Sequence, residues 1–277
     1  MVDKSEKFNW LVRVGYLSRA ILYIMLGYIA LTSASAISEG TKGIFRAIEN
    51  LPAGTAILWI MTVGLVFYGL FRLCSPLFDI ENNGSDAKGW GKRIGHAGSA
   101  VGHFALAWSA YQLASGPGGG SGGGSSSGGS GGGGAQEAAA GVLTADFGGT
   151  VLGILGLIFF IVAIFQFKKG LSGEFMARIS PQAPDATRWL GGAGFCARGV
   201  VYAIIGWSLI QAGFLSQGAQ EVRTLGDALA SLAGQGWIFT VTAVGLLLFG
   251  LFSLILARYR IIPELDSDAG VPKFRTS

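Results

Sequence analysis

The chain has 277 residues, 51% of them hydrophobic and only 13% charged. An ordinary soluble domain carries about 25% charged residues, so this composition excludes that class and points to a polytopic membrane protein. The net charge of +4 is distributed as membrane topology would place it and does not indicate nucleic acid as a partner.

Taken in order, a cytoplasmic segment over 1–15 leads into six apolar stretches at 16–36, 55–77, 94–114, 149–167, 193–214 and 236–257. Each is near the roughly 20 residues needed to cross the hydrocarbon core, and none holds Asp or Glu. Pro52 precedes the second stretch and Pro76 is expected to close it. The first stretch is too long for a cleavable signal peptide, and none is expected. It carries Arg19, Tyr23 and Gly27, four residues apart and therefore on one face of a helix. The same stripe returns at Arg198, Tyr202 and Gly206, with a weaker copy at Ser99, His103 and Ala107.

The second member of each pair repeats as well, in Gly64 to Tyr68, Gly156 to Phe160 and Gly245 to Phe249. A short amphipathic piece precedes each: Gly43 to Leu51, Glu137 to Leu143 and Thr224 to Leu232. The expected fold is all-α, a polytopic membrane protein of six transmembrane helices arranged as three parallel two-helix repeats. The repeats cover 16–77, 94–167 and 193–257, and a tail follows over 258–277. The stretch over 116–134 is nearly all Gly and Ser, which reads as a flexible outer loop. Lys and Arg crowd the opposite side, from Lys4, Lys7 and Arg13 through Arg72, Lys168 and Arg258. By the positive-inside rule both termini are cytoplasmic.

Three roles are open to Arg19 and Arg198. They can snorkel to lipid phosphates, cap helix ends, or face the bundle interior and hold an anion or a lipid headgroup. Counting from the outer loop places Arg19 close to the cytoplasmic boundary. The anion reading takes Arg19, Tyr23, Arg198 and Tyr202 with Ser99 and His103 of the middle copy. His103 itself is expected to bond a neighbouring helix, because a haem role needs a facing histidine and His96 shares its helix. Pairs such as Gly98 with Gly102, Gly149 with Gly153, and Gly95 with Ser99 suggest close helix contacts. Trp10, Trp90, Trp189 and Trp237 stand at span ends as interfacial anchors. Cys74 and Cys196 read as buried, unpaired thiols. No metal cluster, catalytic nucleophile or inward carboxylate pair is visible, so no cofactor is expected and the reading leans away from an enzyme.

The triplicated Arg-(Gly/Ala)-x-x-Tyr-x-x-x-Gly stripe, followed by Gly-Leu-x-x-(Tyr/Phe)-Gly-Leu, resembles a bacterial family of six-helix membrane proteins, domain of unknown function number 1206. The middle copy departs from it, with Ser99 for Arg, His103 for Tyr and Ile161 for the glycine of Gly69 and Gly250. The resemblance implies a bacterial inner-membrane setting and no particular activity. Two functions follow from the residues. One is a binding or transport protein with an anion or lipid-headgroup site at the cytoplasmic end. The other is an accessory subunit that packs against a larger membrane complex.

Overall fold

A computed structural model describes residues 4–32, 40–78, 86–115 and 132–261. Nine α-helices are present among them: α1 (Lys4–Thr32), α2 (Gly40–Glu49), α3 (Gly54–Phe78), α4 (Ala87–Ala114), α5 (Gly132–Leu143), α6 (Gly148–Ser172), α7 (Thr187–Gly213), α8 (Leu225–Ala230) and α9 (Trp237–Tyr259). Three single 3-10 turns join them, and the described residues form no β-strand. In hydrocarbon each backbone polar group must be satisfied within its own segment, which is why long apolar stretches become helices.

Five helices are long and apolar enough to cross a membrane, over Val12–Thr32, Gly54–Cys74, Gly148–Ser172, Thr187–Gly213 and Trp237–Tyr259. The expected sixth, α4, has the length but not the hydropathy. Lys88, Lys92, Arg93 and His96 fill its first turns, and Ser99 and His103 follow. Several limits also move. Pro76 lies inside the last turn of α3, which runs on to Phe78. Helix α6 continues to Ser172, where Gly173 ends it with a left-handed backbone (φ 73°) that a side chain would strain. Helix α7 starts at Thr187, six residues before its apolar run. Residues 33–36 of the first expected span, the loop over 116–131, residues 1–3 and the tail over 262–277 lie outside the described residues. The last three glycines of the expected loop, Gly132 to Gly134, already belong to α5.

The long helices pack in the order α4–α3–α1–α9–α7–α6. The largest contacts join α6 to α7, α3 to α4 and α1 to α9, and smaller ones join α1 to α3 and α7 to α9. Helices α4 and α6 make no comparable contact among the described residues. Glycine makes the close approaches. A Cβ on Gly27 would come within 2.7 Å of Ala243 and Leu247 on α9, and one on Gly206 within 2.9 Å of the Gly156 carbonyl on α6. The glycine of the sequence stripe therefore faces a helix, as helix packing in lipid favours. Gly149 and Gly153 likewise sit against Gly213 and Phe214. Gly102 does not, since a Cβ there would meet nothing within 4 Å. The surroundings of Gly95 and Gly98 lie outside what the structure describes.

The first and last helices begin and end together. Arg13 Nη1 donates to the carbonyls of Ala257 (2.9 Å) and Arg258 (2.5 Å), closing the C-terminus of α9. At the same end, Ile179 pairs with Arg260 in an isolated antiparallel bridge. At the other end the short helix α2 meets both α5 and α8, and Phe45, Ile48, Ala139 and Leu229 are buried there. A capping box starts α8, with Thr224 and Asp227 each accepting from the other's backbone N–H. Trp10, Trp90, Trp189 and Trp237 are all exposed, as their expected anchoring requires. Cys74 and Cys196 are free thiols, but only half-buried.

Candidate functional site

Arg19 is buried, 5% exposed. Seven residues separate it from Val12, about 10 Å along a helix. Its Nε donates to Ser253 Oγ (3.1 Å) on α9 and its Nη1 to Tyr68 Oη (2.8 Å) on α3. The guanidinium carbon lies 4.7, 5.2 and 5.0 Å from the ring centres of Tyr16, Tyr68 and Phe249. A planar cation can lie on ring faces while its edge donates, which a compact ammonium cannot. End capping belongs to Arg13 instead.

Arg198 reaches the same place from α7. Its guanidinium carbon is 4.6 Å from the centre of Phe249, 5.0 Å from Tyr202 and 5.6 Å from Tyr23. Nη2 donates to Tyr202 Oη, one turn along the helix. Nε, shielded from solvent, has no acceptor. Arg19 and Arg198 thus share Phe249, and Tyr23 stands edge-on to that ring at 4.9 Å. A third cation joins at Arg72, whose Nε donates to Tyr68 Oη (3.1 Å). One phenol oxygen therefore accepts from two guanidinium groups. Two unit charges held about 6 Å apart repel by roughly 3 kcal/mol at an effective dielectric of about 20. No Asp or Glu falls within the five apolar stretches or within α4.

His103 extends the cluster to α4, with its ring 4.5 Å from that of Tyr68. Among the described residues its bond is within its own helix, where Nδ1 lies 2.6 Å from the Ser99 carbonyl, and none to a neighbouring helix is seen. That distance fixes the proton on Nδ1, since a carbonyl can only accept. Ser99 Oγ stands 3.4 Å from the same nitrogen and makes no arginine-like reach across the bundle. On the far side Phe159 of α6 meets Tyr202 edge-on at 5.8 Å. A belt thus runs His103–Tyr68–Arg19–Phe249–Arg198–Tyr202–Phe159, with at least one residue from each of the six long helices.

All six residues expected from the sequence lie on or beside this belt, three of them, Arg19, Tyr23 and Arg198, around Phe249. Tyr68, Arg72, Phe159, Phe249, Ser253 and Tyr16 complete it and were not expected. Tyr68 and Phe249 had a signal, since each stands four residues after its repeat glycine, Gly64 or Gly245. Tyr16 and Ser253 had none, because nothing in one helix announces which side chain of another will lie beside it. Among the described residues no group of three or more His, Cys, Asp or Glu could hold a metal.

The family model described as Domain of Unknown Function (DUF1206) matches residues 14–77, 94–173 and 193–260. The chain belongs to that family. The three matches coincide with α1 to α3, α4 to α6 and α7 to α9. The chain is also similar to "Uncharacterized protein YxxB" of Bacillus subtilis (strain 168), at 28% identity over 270 residues, 93% of this chain and 94% of that one. No solved structure matches. Within the family's three segments the belt takes Arg19 and Tyr68 from the first, His103 and Phe159 from the second, and Arg198 and Phe249 from the third.

Proposed function

We propose that this DUF1206 protein is a six-span protein of the bacterial inner membrane, with both termini cytoplasmic, that binds an anionic group within its bundle. Three two-helix repeats share one orientation, and α4 crosses as the sixth span despite its polar first turns. The observation that carries the binding reading is the convergence of Arg19, Arg72 and Arg198 on one aromatic cluster, with Arg198 Nε buried and lacking an acceptor. Guanidinium groups recognise carboxylate and phosphate by paired donors, and a phosphate or a lipid headgroup supplies the acceptor that Arg198 Nε lacks. Nothing in this reading requires bond-making chemistry. The protein acts as a binding or carrier protein.

Purification in mild detergent followed by mass spectrometry of retained lipids and small anions tests it. The wild type should retain an anionic species that Arg198→Gln loses, and equal retention by both would sink the proposal. A reporter fused after Gly119 should behave as extracytoplasmic, and a cytoplasmic signal would overturn the topology. An accessory-subunit role is the second reading. Helix α6 favours it, being the least buried of the five apolar helices, with Val151, Ile154, Ile158, Ile161 and Phe165 exposed. A companion protein that stays bound through the same purification supports that role.

A further inference from the structure

We infer that the group held by the belt is the phosphate of a membrane lipid, admitted sideways between α4 and α6. This rests on the anion reading above. The long helices form a chain of contacts whose two ends, α4 and α6, make no comparable contact among the described residues. The belt ends on those same two helices. His103 of α4 lies tilted against Tyr68 at one end, and Phe159 of α6 meets Tyr202 at the other. A group entering between α4 and α6 therefore passes between the two ends of the belt.

The alternative route from the far end is covered. Helix α2 meets both α5 and α8 there, and Phe45, Ile48 and Leu229 are buried. The middle repeat is also the one with the least bulk and charge in its stripe. Ser99 stands where the other copies have arginine, and beside it Gly102 has open space where a Cβ would be.

Of the two guanidinium groups on Phe249, Arg198 is the one with spare donors. Arg19 is committed through Nε to Ser253 and through Nη1 to Tyr68, whereas Arg198 Nε has no acceptor. A free phosphate entering sideways would have to shed its water and pass through hydrocarbon. A lipid phosphate starts at the adjacent headgroup level and keeps its acyl chains in hydrocarbon throughout. Lateral delivery therefore fits a lipid better than a soluble ion.

The test uses purified full-length protein in mixed micelles containing phosphatidic acid with a diazirine close to its glycerol end. After irradiation, adducts are mapped by peptide mass spectrometry. Labelling should concentrate on α4 and α6 and fall about tenfold or more in Arg198→Gln, the loss expected for a charge-assisted pair. Arg198→Lys keeps the charge and most of the volume, so it guards against misfolding, and it should still lose severalfold because it lacks the fork. Millimolar inorganic phosphate should leave labelling unchanged. If inorganic phosphate competes, the anion reading stands and lateral lipid entry fails. If labelling is the same in wild type, Arg198→Gln and Arg198→Lys, the lipid is merely annular and the inference is overturned. If neither the lipid nor inorganic phosphate distinguishes wild type from Arg198→Gln, the binding reading fails with it.

Discussion

Replacing Arg19 by Lys should destabilise the protein more than replacing it by Met. Lysine keeps the charge but offers one nitrogen where Arg19 bonds Ser253 and Tyr68 through two, and it cannot lie flat on Tyr16, Tyr68 and Phe249. A side-chain hydrogen bond inside a membrane protein contributes about 0.6 to 1.7 kcal/mol. Loss of ring stacking adds roughly 0.5 to 2 kcal/mol. Arg19→Lys should therefore cost about 1 to 3 kcal/mol. Methionine loses the same contacts but also removes a charge that Arg72 and Arg198 repel by a comparable amount. It leaves neither partner stranded, because Tyr68 Oη still accepts from Arg72 and Ser253 Oγ still donates to the Phe249 carbonyl. Arg19→Met should accordingly fall within about 1 kcal/mol of wild type. Reversible unfolding of lipid-stripped protein in mixed micelles, followed by tryptophan fluorescence, measures both. Snorkelling demands the opposite order, with Lys near wild type and Met well below. That order would refute the buried-keystone reasoning for Arg19.

Two further substitutions probe the packing. A Cβ on Gly64 would fall 1.4 Å from Ser18 Oγ, so Gly64→Ala should cost about 1 to 3 kcal/mol by forcing α1 from α3. Ser18→Gly in the same chain should restore most of that loss, and strictly additive effects in the double-mutant cycle would contradict the contact. Gly102→Ala should stabilise by about 0.5 to 1 kcal/mol, because a helix-interior glycine there meets nothing and serves no close approach. A measured loss would mean that an unseen neighbour occupies that space.

Much of the architecture follows from the residues alone, because the cost of bare backbone in hydrocarbon converts long apolar runs into helices wherever they occur. Five spans, the short helices before each second span, and the helix-facing glycines Gly27 and Gly206 are all legible by counting. So are Arg19 and Arg198, since an arginine one turn from a tyrosine on an otherwise apolar face stands out against its background. The status of α4 is less legible, because a helix with polar first turns fails a hydropathy rule whether or not it crosses. Tertiary structure decides which groups those arginines meet. Periodicity fixes the face a residue occupies on its own helix but not the rotation and depth of the next one. Nothing in the first helix therefore shows that Ser253, 234 residues away, will accept from Arg19, or that Phe249 will lie against both cations. The order of the helices is hidden for the same reason. Only packing separates α4 from α6 although one matched family segment holds both, because each makes its main contact with a helix of another segment.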